Sequence, residues 1–360
     1  MLKAVVLSGG FATRLRPISY ALPKLLFPVA GKPMIYWTLD LLRRHGVDQV
    51  VLAVNYLADT LRAVVGERYK TVKIRYSLED KPLGTGGPVK LAARTLKPLD
   101  TFIVMNGDII TELDLTRMLK EHQESHAVVT DALHEVRNPS RFGVVQLDDA
   151  RRIRRFVEKP RPGQAPSRLI NAGIYMIEPS LLSLIPPNRK VSLERDIFPI
   201  LARKGRLSGF PFRGRWFDVG DLSDYSRANF ELLKTQQTKG VRQHGGKQIK
   251  PPVLIGEDTR IEPTARVGPN VVTGKNCMIL RRARLTNSIL FDGVTVGENA
   301  IVARAIVATN AHIGRGVRIN PGAIVSPNVK IADGVSIGNR AIIHPHKEIT
   351  SNVPPRAHVM

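Results

Sequence analysis

The sequence predicts two domains: an α/β domain with a mostly parallel sheet, followed by a parallel β-helix of six-residue repeats. Three observations lead to this prediction. Apolar runs of strand length alternate with segments of helical periodicity in the first part of the chain. Residues 236–251 are polar, basic and glycine-bearing, as is typical of a linker. Beyond Pro252, aliphatic residues recur at every sixth position, which indicates a parallel β-helix. The period slips between about residues 285 and 313, where we expect an irregular coil. We therefore expect domains at residues 1–235 and 252–360, joined by the linker.

The first predicted strand runs into a glycine-rich turn, LSGGFATRLRP at residues 7–17. Its two glycines allow a tight turn and a close approach of the backbone to a ligand. Its threonine and two arginines offer a hydroxyl group and two guanidinium groups that suit phosphate oxygens. A strand that enters such a turn at the start of an α/β unit predicts a cradle for nucleotide phosphates. A tight turn without a ligand is the alternative interpretation.

Two further stretches follow strands of the same predicted sheet. PLGTGGP, at residues 82–88, leads from the third strand into a helix, and the fourth strand ends in MNGD at Asp108. Ligands of parallel α/β sheets bind at the carboxyl ends of the strands. The three stretches are therefore expected to converge on one site. From about residue 126, strands follow one another with few helices between them, which predicts an antiparallel extension of the sheet.

The charge balance narrows the classes of ligand. With 54 Lys and Arg against 31 Asp and Glu, the formal net charge is +23, which favours nucleotides, sugar phosphates or nucleic acid as partners. The basic residues are spread along the chain, aromatic content is only 6%, and no RNA-recognition or zinc-finger pattern is present. We therefore do not expect nucleic acid to be the ligand. A general bias of the surface towards Lys and Arg remains the alternative.

The remaining composition excludes several classes of protein. No run of about 18 apolar residues occurs, so we expect no membrane span. The apolar stretch at the start of the sequence is too short for a secretory signal, and we expect a cytoplasmic location. Cys277 is the only cysteine, which excludes an internal disulfide and a metal cage of cysteines.

Seven motifs occur in the order found in sugar-phosphate nucleotidylyltransferases: LSGGFATRLRP, PKLLFPVAGKP, PLGTGGP, MNGD, FVEKP, NAGIY and RWFDVGD. The chain resembles this family over nearly its whole length, and most closely the members that act on mannose 1-phosphate with GTP. The resemblance implies a Rossmann-like nucleotidyltransferase domain and a left-handed β-helix. One position departs from the pattern, because Ala12 stands where the family has glycine. Alanine is expected to avoid a positive φ at that point.

The resemblance also implies a reaction. An oxygen of a sugar 1-phosphate attacks the α-phosphorus of a nucleoside triphosphate and releases pyrophosphate. Because this nucleophile is already an anion, no general base is needed, and catalysis depends on positioning and on charge neutralisation. Mg²⁺ is the implied cofactor, held by Asp108 and Asp218. A turn cap for Asp108 and a salt bridge for Asp218 are the structural alternatives.

Roles for individual residues follow from the same resemblance. Arg14 is implied to neutralise the triphosphate, Lys24 to reach the phosphates at the reacting centre, and Lys159 to bind the sugar phosphate. Contacts with the nucleotide are implied for Leu7, Gly9, Gly10, Thr13, Glu79, Gly84 and Thr85. Contacts with the sugar phosphate are implied for Gly143, Glu158, Lys159, Asn171 and Glu194. A surface salt bridge between Glu158 and Lys159 is the alternative for that pair.

Glu79 bears on the choice of base. Relatives that use uracil or thymine resemble one another in carrying Gln five positions before the residue that corresponds to Gly84. A carboxylate only accepts hydrogen bonds, and the Watson–Crick edge of guanine offers two donors. Glu79 therefore favours GTP. An exposed glutamate in a charged loop is the alternative.

Other functions are compatible with the same architecture. A glucose 1-phosphate enzyme using UTP or dTTP belongs to the same class. A non-catalytic regulatory or initiation-factor-like relative would lose the metal-binding aspartates and phosphate-binding cations, and all of them are present here. An acyltransferase site in the β-helix would need a base, for which His312, His344 and His346 are candidates. We expect the exposed solenoid faces to support self-association into a homo-oligomer.

Overall fold

The computed structural model describes residues 2–10, 12–55, 57–96, 100–236 and 248–360. The strands of its first part are, in chain order, β1 (Leu2–Leu7), β2 (Pro28–Val29), β3 (Lys32–Pro33), β4 (Val47–Val54), β5 (Arg68–Tyr69), β6 (Val72–Leu78), β7 (Phe102–Asn106), β8 (Ile109–Thr111), β9 (Val129–Glu135), β10 (Gly143–Leu147), β11 (Ile153–Glu158), β12 (Leu169–Ile177), β13 (Leu207–Pro211) and β14 (Trp216–Asp218). The helices are α1 (Met34–Arg44), α2 (Ala58–Val65), α3 (Gly86–Ala93), α4 (Leu115–Ser125), α5 (Phe198–Arg203) and α6 (Leu222–Gln236).

The chain folds into two compact units that do not follow its order. The first unit contains residues 1–11 and 34–218, and the second contains residues 12–33 and 219–360. The segment that follows the first glycine turn thus belongs to the unit that contains the β-helix. The predicted linker at 236–251 falls mainly on residues 237–247, which lie outside the described residues.

The first unit is built on a ten-stranded mixed sheet. Its centre is parallel, in the order β7-β1-β4-β6. The strands β12, β10 and β11 extend it in antiparallel fashion on one side, and β9 pairs with β12 and β13. The central strands β7, β1 and β4 are mostly buried apolar runs, as expected for a sheet covered on both faces, whereas β6 alternates between buried and exposed residues. The predicted α/β fold with its antiparallel extension is confirmed.

The second unit contains the left-handed parallel β-helix. Its strands are β15 (Val253–Leu254), β16 (Arg260–Ile261), β17 (Arg266–Val267), β18 (Val271–Thr273), β19 (Met278–Ile279), β20 (Arg284–Thr286), β21 (Ser288–Leu290), β22 (Thr295–Val296), β23 (Ile301–Ala303), β24 (Ile306–Val307), β25 (His312–Ile313), β26 (Arg318–Ile319), β27 (Ile324–Val325), β28 (Lys330–Ile331), β29 (Ser336–Ile337), β30 (Ile342–Ile343), β31 (Glu348–Ile349) and β32 (His358–Val359). They form three parallel ladders around an aliphatic core.

The predicted slip of the six-residue period is accommodated without a break in the ladders. Arg266 pairs with Arg284 one coil of 18 residues later, but Arg284 pairs with Ile301 after only 17 residues. Ile301 pairs with Arg318 after another 17 residues. The expected irregular coil is therefore two regular coils, each shortened by one residue, because a corner can lose a residue while the strand pairing continues.

Within the second unit, residues 12–33 are held by an aromatic cluster of Phe27, Tyr225 and Phe291. The rings of Phe27 and Phe291 meet edge to face with centroids 5.9 Å apart, and those of Phe27 and Tyr225 at 5.7 Å. Tyr225 contacts Phe291 at 6.2 Å. All three side chains are buried, and edge-to-face pairs add to the stabilisation that burial provides. The cluster joins this early segment to α6 and to the β-helix.

Two hydrogen bonds from α6 fix the same segment. The hydroxyl of Tyr225 donates to the carbonyl of Pro28 at 2.5 Å. The backbone N–H of Ala30 donates to Oδ1 of Asn229 at 2.8 Å, and Asn229 is fully buried. These polar groups would be costly to bury without partners, so the bonds fix the register of the segment.

Ala12 contradicts the expectation drawn from its side chain. Its φ is 47° and its ψ is 39°, a left-handed conformation. Its carbonyl accepts hydrogen bonds from the hydroxyl of Ser19 and from the backbone N–H of Leu15, each at 2.9 Å. These bonds hold an alanine in a conformation that glycine would adopt without strain.

We expect Ala12→Gly to raise the free energy of unfolding by about 1 kcal/mol, because it removes the left-handed strain. The measurement is a denaturant titration of both proteins. Ala21 lies nearby with φ −104° and ψ −20°, an ordinary conformation. Ala21→Gly is therefore the control, and it should lower stability by about 0.5 kcal/mol. Equal losses in the two variants would contradict the strain at Ala12.

Candidate active site

Two carboxylates lie at the ends of adjoining strands in the first unit. Asp108 directly precedes β8, and Asp218 ends β14, where it pairs with Ile109 in antiparallel register. The backbone N–H of Gly107 donates to the carbonyl of Leu7 at 2.8 Å, which holds this turn at the end of β1. Both aspartates are half-buried. The predicted convergence of the glycine turn and Asp108 is therefore present, and Asp218 joins them.

The donor set suits a hard divalent cation that also binds phosphates. Among the described residues, no group of three or more His, Cys, Asp or Glu could hold a metal ion. Mg²⁺ commonly uses one or two carboxylates and takes its other ligands from substrate phosphates and water. The pair Asp108 and Asp218 fits this requirement.

Glu79 is buried, so its interpretation as an exposed loop residue is wrong. Its side chain is 6% exposed, and Oε1 accepts a hydrogen bond from the backbone N–H of Leu83 at 3.1 Å. Burial raises the pKa of this carboxyl group, and the Leu83 hydrogen bond opposes that shift. At Gly9, a Cβ atom would lie only 2.8 Å from Glu79 Oε2, so the absence of a side chain there lets the two approach. Asn55 donates from Nδ2 to the carbonyl of Gly9.

The second glycine turn, PLGTGGP at residues 82–88, packs against Val191. Gly84 has φ +79°, and a Cβ atom there would come within 2.3 Å of the carbonyl oxygen of Val191. The N–H of Gly86 donates to that carbonyl at 2.8 Å, and the N–H of Val191 donates to the carbonyl of Leu83 at 2.9 Å. Only glycine fits at position 84 for both reasons. The turn is thereby held in one conformation.

Thr85 links this turn to Glu194. Its hydroxyl donates to Glu194 Oε2 at 2.6 Å and accepts from the N–H of Leu193 at 2.8 Å. Glu194 lies in a π-helical turn, Leu193–Ile197, which directly precedes α5. Ser192 caps the turn by accepting a hydrogen bond from the N–H of Arg195. Such turns are frequent at functional sites.

Tyr175 connects Glu194 with Asn171. Its hydroxyl donates to Glu194 Oε1 at 3.3 Å and accepts from Nδ2 of Asn171 at 2.9 Å. The ring is fully buried, and burial is the main cause that raises the pKa of its hydroxyl, with Glu194 adding to it. Sequence analysis did not select Tyr175, although it is the last residue of the NAGIY motif. The NAGIY motif is the sequence signal from which Tyr175 could have been selected.

Gly143 begins β10, Glu158 ends β11, and Lys159 directly follows β11. Gly143 pairs directly with Glu158, and Lys159 Nζ lies 3.7 Å from Glu158 Oε1. The predicted alternative of an ion pair between these two side chains is thus present. Burial raises the pKa of Glu158, and the nearby Lys159 opposes this effect. The negative charge of Glu194 raises the pKa of Glu158 further, because it disfavours the ionised form of a second carboxyl group.

Three predicted residues belong to the second unit. Thr13 and Arg14 lie in the short 3₁₀ helix Thr13–Leu15, and Lys24 begins another, Lys24–Leu26. The guanidinium group of Arg14 lies over Gly220, where a Cβ atom would be 3.3 Å from both terminal nitrogens. The glycine of the RWFDVGD motif therefore leaves room for this arginine.

Together, the parallel sheet, the glycine turns at strand ends and the paired carboxylates define a class of α/β proteins that bind nucleotides with a divalent metal ion. Residues 3–235 match the family described as nucleotidyl transferase, and residues 249–359 match the GMPPB C-terminal domain. The chain belongs to the nucleotidyl transferase family, and the resemblance found in its sequence is confirmed. Members of this family generally use a divalent metal ion.

Individual relatives match over the full length. Mannose-1-phosphate guanylyltransferase 1 of Arabidopsis thaliana is 34% identical, with 98% of each chain covered. Mannose-1-phosphate guanyltransferase of Emericella nidulans is 36% identical, with 100% of each chain covered. The crystal structure of HddC from Yersinia pseudotuberculosis complexed with GMP-PN is 28% identical, with a TM-score of 0.55, and covers 64% of this chain and 100% of its own. Among the described residues, every helix is too short or too polar to cross a membrane.

We expect Thr85→Val to lower the free energy of unfolding by about 2 kcal/mol, because the Leu193 N–H loses its partner in a partly buried position. A urea titration measures this change. Thr85→Ser keeps the hydroxyl and is the matched control, with stability close to that of the unchanged protein. A Val variant as stable as the Ser variant would show that the link to the Glu194 turn is unimportant.

Proposed function

We propose that the protein transfers a guanylyl group from GTP to mannose 1-phosphate, forming the nucleotide sugar and pyrophosphate. The observation that carries this proposal is similarity over the whole chain to enzymes named for that reaction. The buried carboxylate of Glu79 beside Gly9 supports guanine, because it presents only acceptors to the two donors of the guanine edge. Leu7, Gly10, Thr13, Gly84 and Thr85 complete the proposed nucleotide contacts.

We propose that Asp108 and Asp218 hold Mg²⁺, which supplies charge neutralisation on the phosphates as the α-phosphorus is attacked. Arg14 binds the triphosphate, and Lys24 binds the phosphates at the reacting centre. Because the attacking phosphate oxygen is already ionised, the chain supplies no general base. Its contribution is to hold two anions in line while cations balance their charge.

On the sugar side, Lys159 binds the phosphate of the sugar, and Gly143, Glu158, Asn171 and Glu194 receive its hydroxyl groups. The support is their shared environment: Glu194 is joined to Asn171 through Tyr175 and influences the pKa of Glu158. Acceptors fixed by the fold bind sugar hydroxyls without losing further side-chain freedom.

We also propose the domain boundaries 1–235 for catalysis, 236–251 for the linker and 252–360 for the β-helix. The family matches at 3–235 and 249–359 support them. Residues 12–33 belong to the catalytic domain by sequence, although they pack in the unit of the β-helix. We further propose a cytoplasmic location and a homo-oligomer.

An assay of pyrophosphate release tests the function. The protein is incubated with Mg²⁺ and each of GTP, UTP and dTTP, paired with mannose, glucose or N-acetylglucosamine 1-phosphate. We expect the highest kcat/KM for GTP with mannose 1-phosphate. Asp108→Asn and Asp218→Asn should each lower kcat by about a hundredfold or more, since each removes a charged ligand of the metal. Asp149→Asn, in an exposed loop, is the control. Preference for a glucose 1-phosphate pair would replace the proposed substrate, and silence for every pair would overturn the function.

Glu79→Gln tests the choice of base. We expect the ratio of kcat/KM for GTP over UTP to fall by about tenfold. The reason is that glutamine replaces one acceptor oxygen of Glu79 with an amide N–H group, which cannot accept a hydrogen bond from guanine. Burial raises the pKa of Glu79, so its ionised form should be lost as the pH falls, and KM for GTP should rise on the acidic side. The variant should lack this rise. Glu67→Gln, with a side chain 78% exposed, is the control. An unchanged GTP/UTP ratio in Glu79→Gln would refute the assignment.

A further inference from the structure

One face of the β-helix carries a cluster of arginines that the proposed reaction does not use. We call Arg266, Arg282, Arg284 and Arg318 the arginine face. Three of them lie on the strands β17, β20 and β26 of one ladder, and Arg282 lies at the corner before β20. All four are exposed, and they line one concave surface with a volume of about 580 Å³. Thr264 and Asn299 are among the other lining residues.

Strand pairing places two of these charges directly side by side. Arg266 and Arg284 are register partners in a parallel ladder. Neighbouring strands in a sheet are about 4.8 Å apart. Like charges at directly opposed positions destabilise a sheet. The arrangement therefore lowers the stability of the β-helix unless something offsets the repulsion.

Elsewhere in the β-helix, neighbouring coils pair opposite charges. Lys275 lies 2.8 Å from Glu257, and Lys330 lies 3.1 Å from Glu348. Arg315 lies 3.2 Å from Asp333. Each of these pairs joins residues one coil apart, so the fold readily accommodates a carboxylate opposite a cation.

The arginine face lacks this compensation. Across residues 2–10, 12–55, 57–96, 100–236 and 248–360, no carboxylate lies within 4.0 Å of any of its four guanidinium groups. The sequence of residues 237–247 also contains no Asp or Glu. The balancing negative charge must therefore come from outside the chain.

We propose that the arginine face binds a small-molecule anion that carries at least two phosphoryl groups. The guanidinium fork matches phosphate oxygens in pairs, and the concave volume is that of a small-ligand site. Ile301 separates Arg284 from Arg318 in the ladder, so these two lie two strand spacings, or about 10 Å, apart. Arg266, Arg282 and Arg284 receive one phosphoryl group, and Arg318 receives another.

The same surface argues against a nucleic acid. Single-stranded nucleic acids are bound by aromatic side chains that stack on successive bases, beside a basic groove. Within the part of the chain that the structure describes, the residues lining this surface include arginine, asparagine, threonine, proline, glutamine and isoleucine but no aromatic side chain. The face thus offers charge for phosphates without a platform for bases.

Isothermal titration with inorganic tripolyphosphate tests the proposal on the full-length protein. Arg266→Ser/Arg284→Ser removes two charges from the arginine face. Lys275→Ser/Arg315→Ser removes two charges elsewhere on the β-helix and is the matched control. We expect Kd to weaken by about tenfold in the first double variant only. Tripolyphosphate that binds at any other site, the catalytic site included, binds equally to all three proteins. A difference in Kd between them therefore reports on the arginine face.

Two results would overturn the proposal. One is the same Kd in all three proteins. The other is a labelled 20-nucleotide single strand that binds more tightly than tripolyphosphate and is lost in the same double variant, which would make the face a nucleic-acid surface.

Thermal unfolding gives a second, independent measurement. Without added anion, Arg284→Ser should raise Tm, because it relieves the repulsion with Arg266. Tripolyphosphate should then raise Tm of the unchanged protein more than that of the variant, since ligand binding stabilises only the protein that binds it. A variant with lower Tm and an equal response to tripolyphosphate would contradict both the repulsion and the site.

Discussion

The packing of Phe27 against Tyr225 and Phe291 is the interaction on which the second unit depends. It attaches residues 12–33, which carry Arg14 and Lys24, to a helix and a solenoid more than 190 residues later in the chain. Short 3₁₀ turns such as those of this segment have little stability of their own. Tertiary packing therefore fixes these turns in place, and hydrogen bonds within the segment hold the left-handed Ala12. The β-helix is thus part of the support for the proposed phosphate-binding cations as well as a scaffold.

In the first unit, one hydrogen-bonded network joins the proposed nucleotide and sugar contacts. It runs from Thr85 through Glu194 and Tyr175 to Asn171. Buried polar groups with satisfied partners are rigid, and rigidity is what an in-line displacement between two bound anions requires. The π-helical turn at Glu194 interrupts regular helix geometry at this point of the network. The irregular helical turn therefore lies at a residue that we propose to contact the sugar.

Much of this arrangement could be predicted from sequence, because it depends on local patterns. Apolar runs predicted the strands of the sheet, six-residue repeats predicted the β-helix, and Asp108 at a strand end indicated the proposed site. Three features depended on particular hydrogen bonds and close contacts and could not be predicted. Glu79 is buried by the turn at Gly9, Ala12 is held in a left-handed conformation by Ser19 and Leu15, and Tyr175 is the centre of a network. None of these contacts leaves a periodic signal.

The division of the chain into units has a consequence for the order of folding during synthesis. Domains form as units while the chain emerges from the ribosome, N-terminal parts first. Residues 12–33 are among the earliest to emerge, but their packing partners Tyr225 and Phe291 are made much later. The sheet of the first unit can form before this segment has its packing partners. The arginine and lysine proposed for phosphate binding acquire their positions only when α6 and the early coils of the β-helix have been made. A nascent chain stopped before residue 219 would thus contain both aspartates proposed for metal binding, while the segment proposed for phosphate binding would still lack its packing partners.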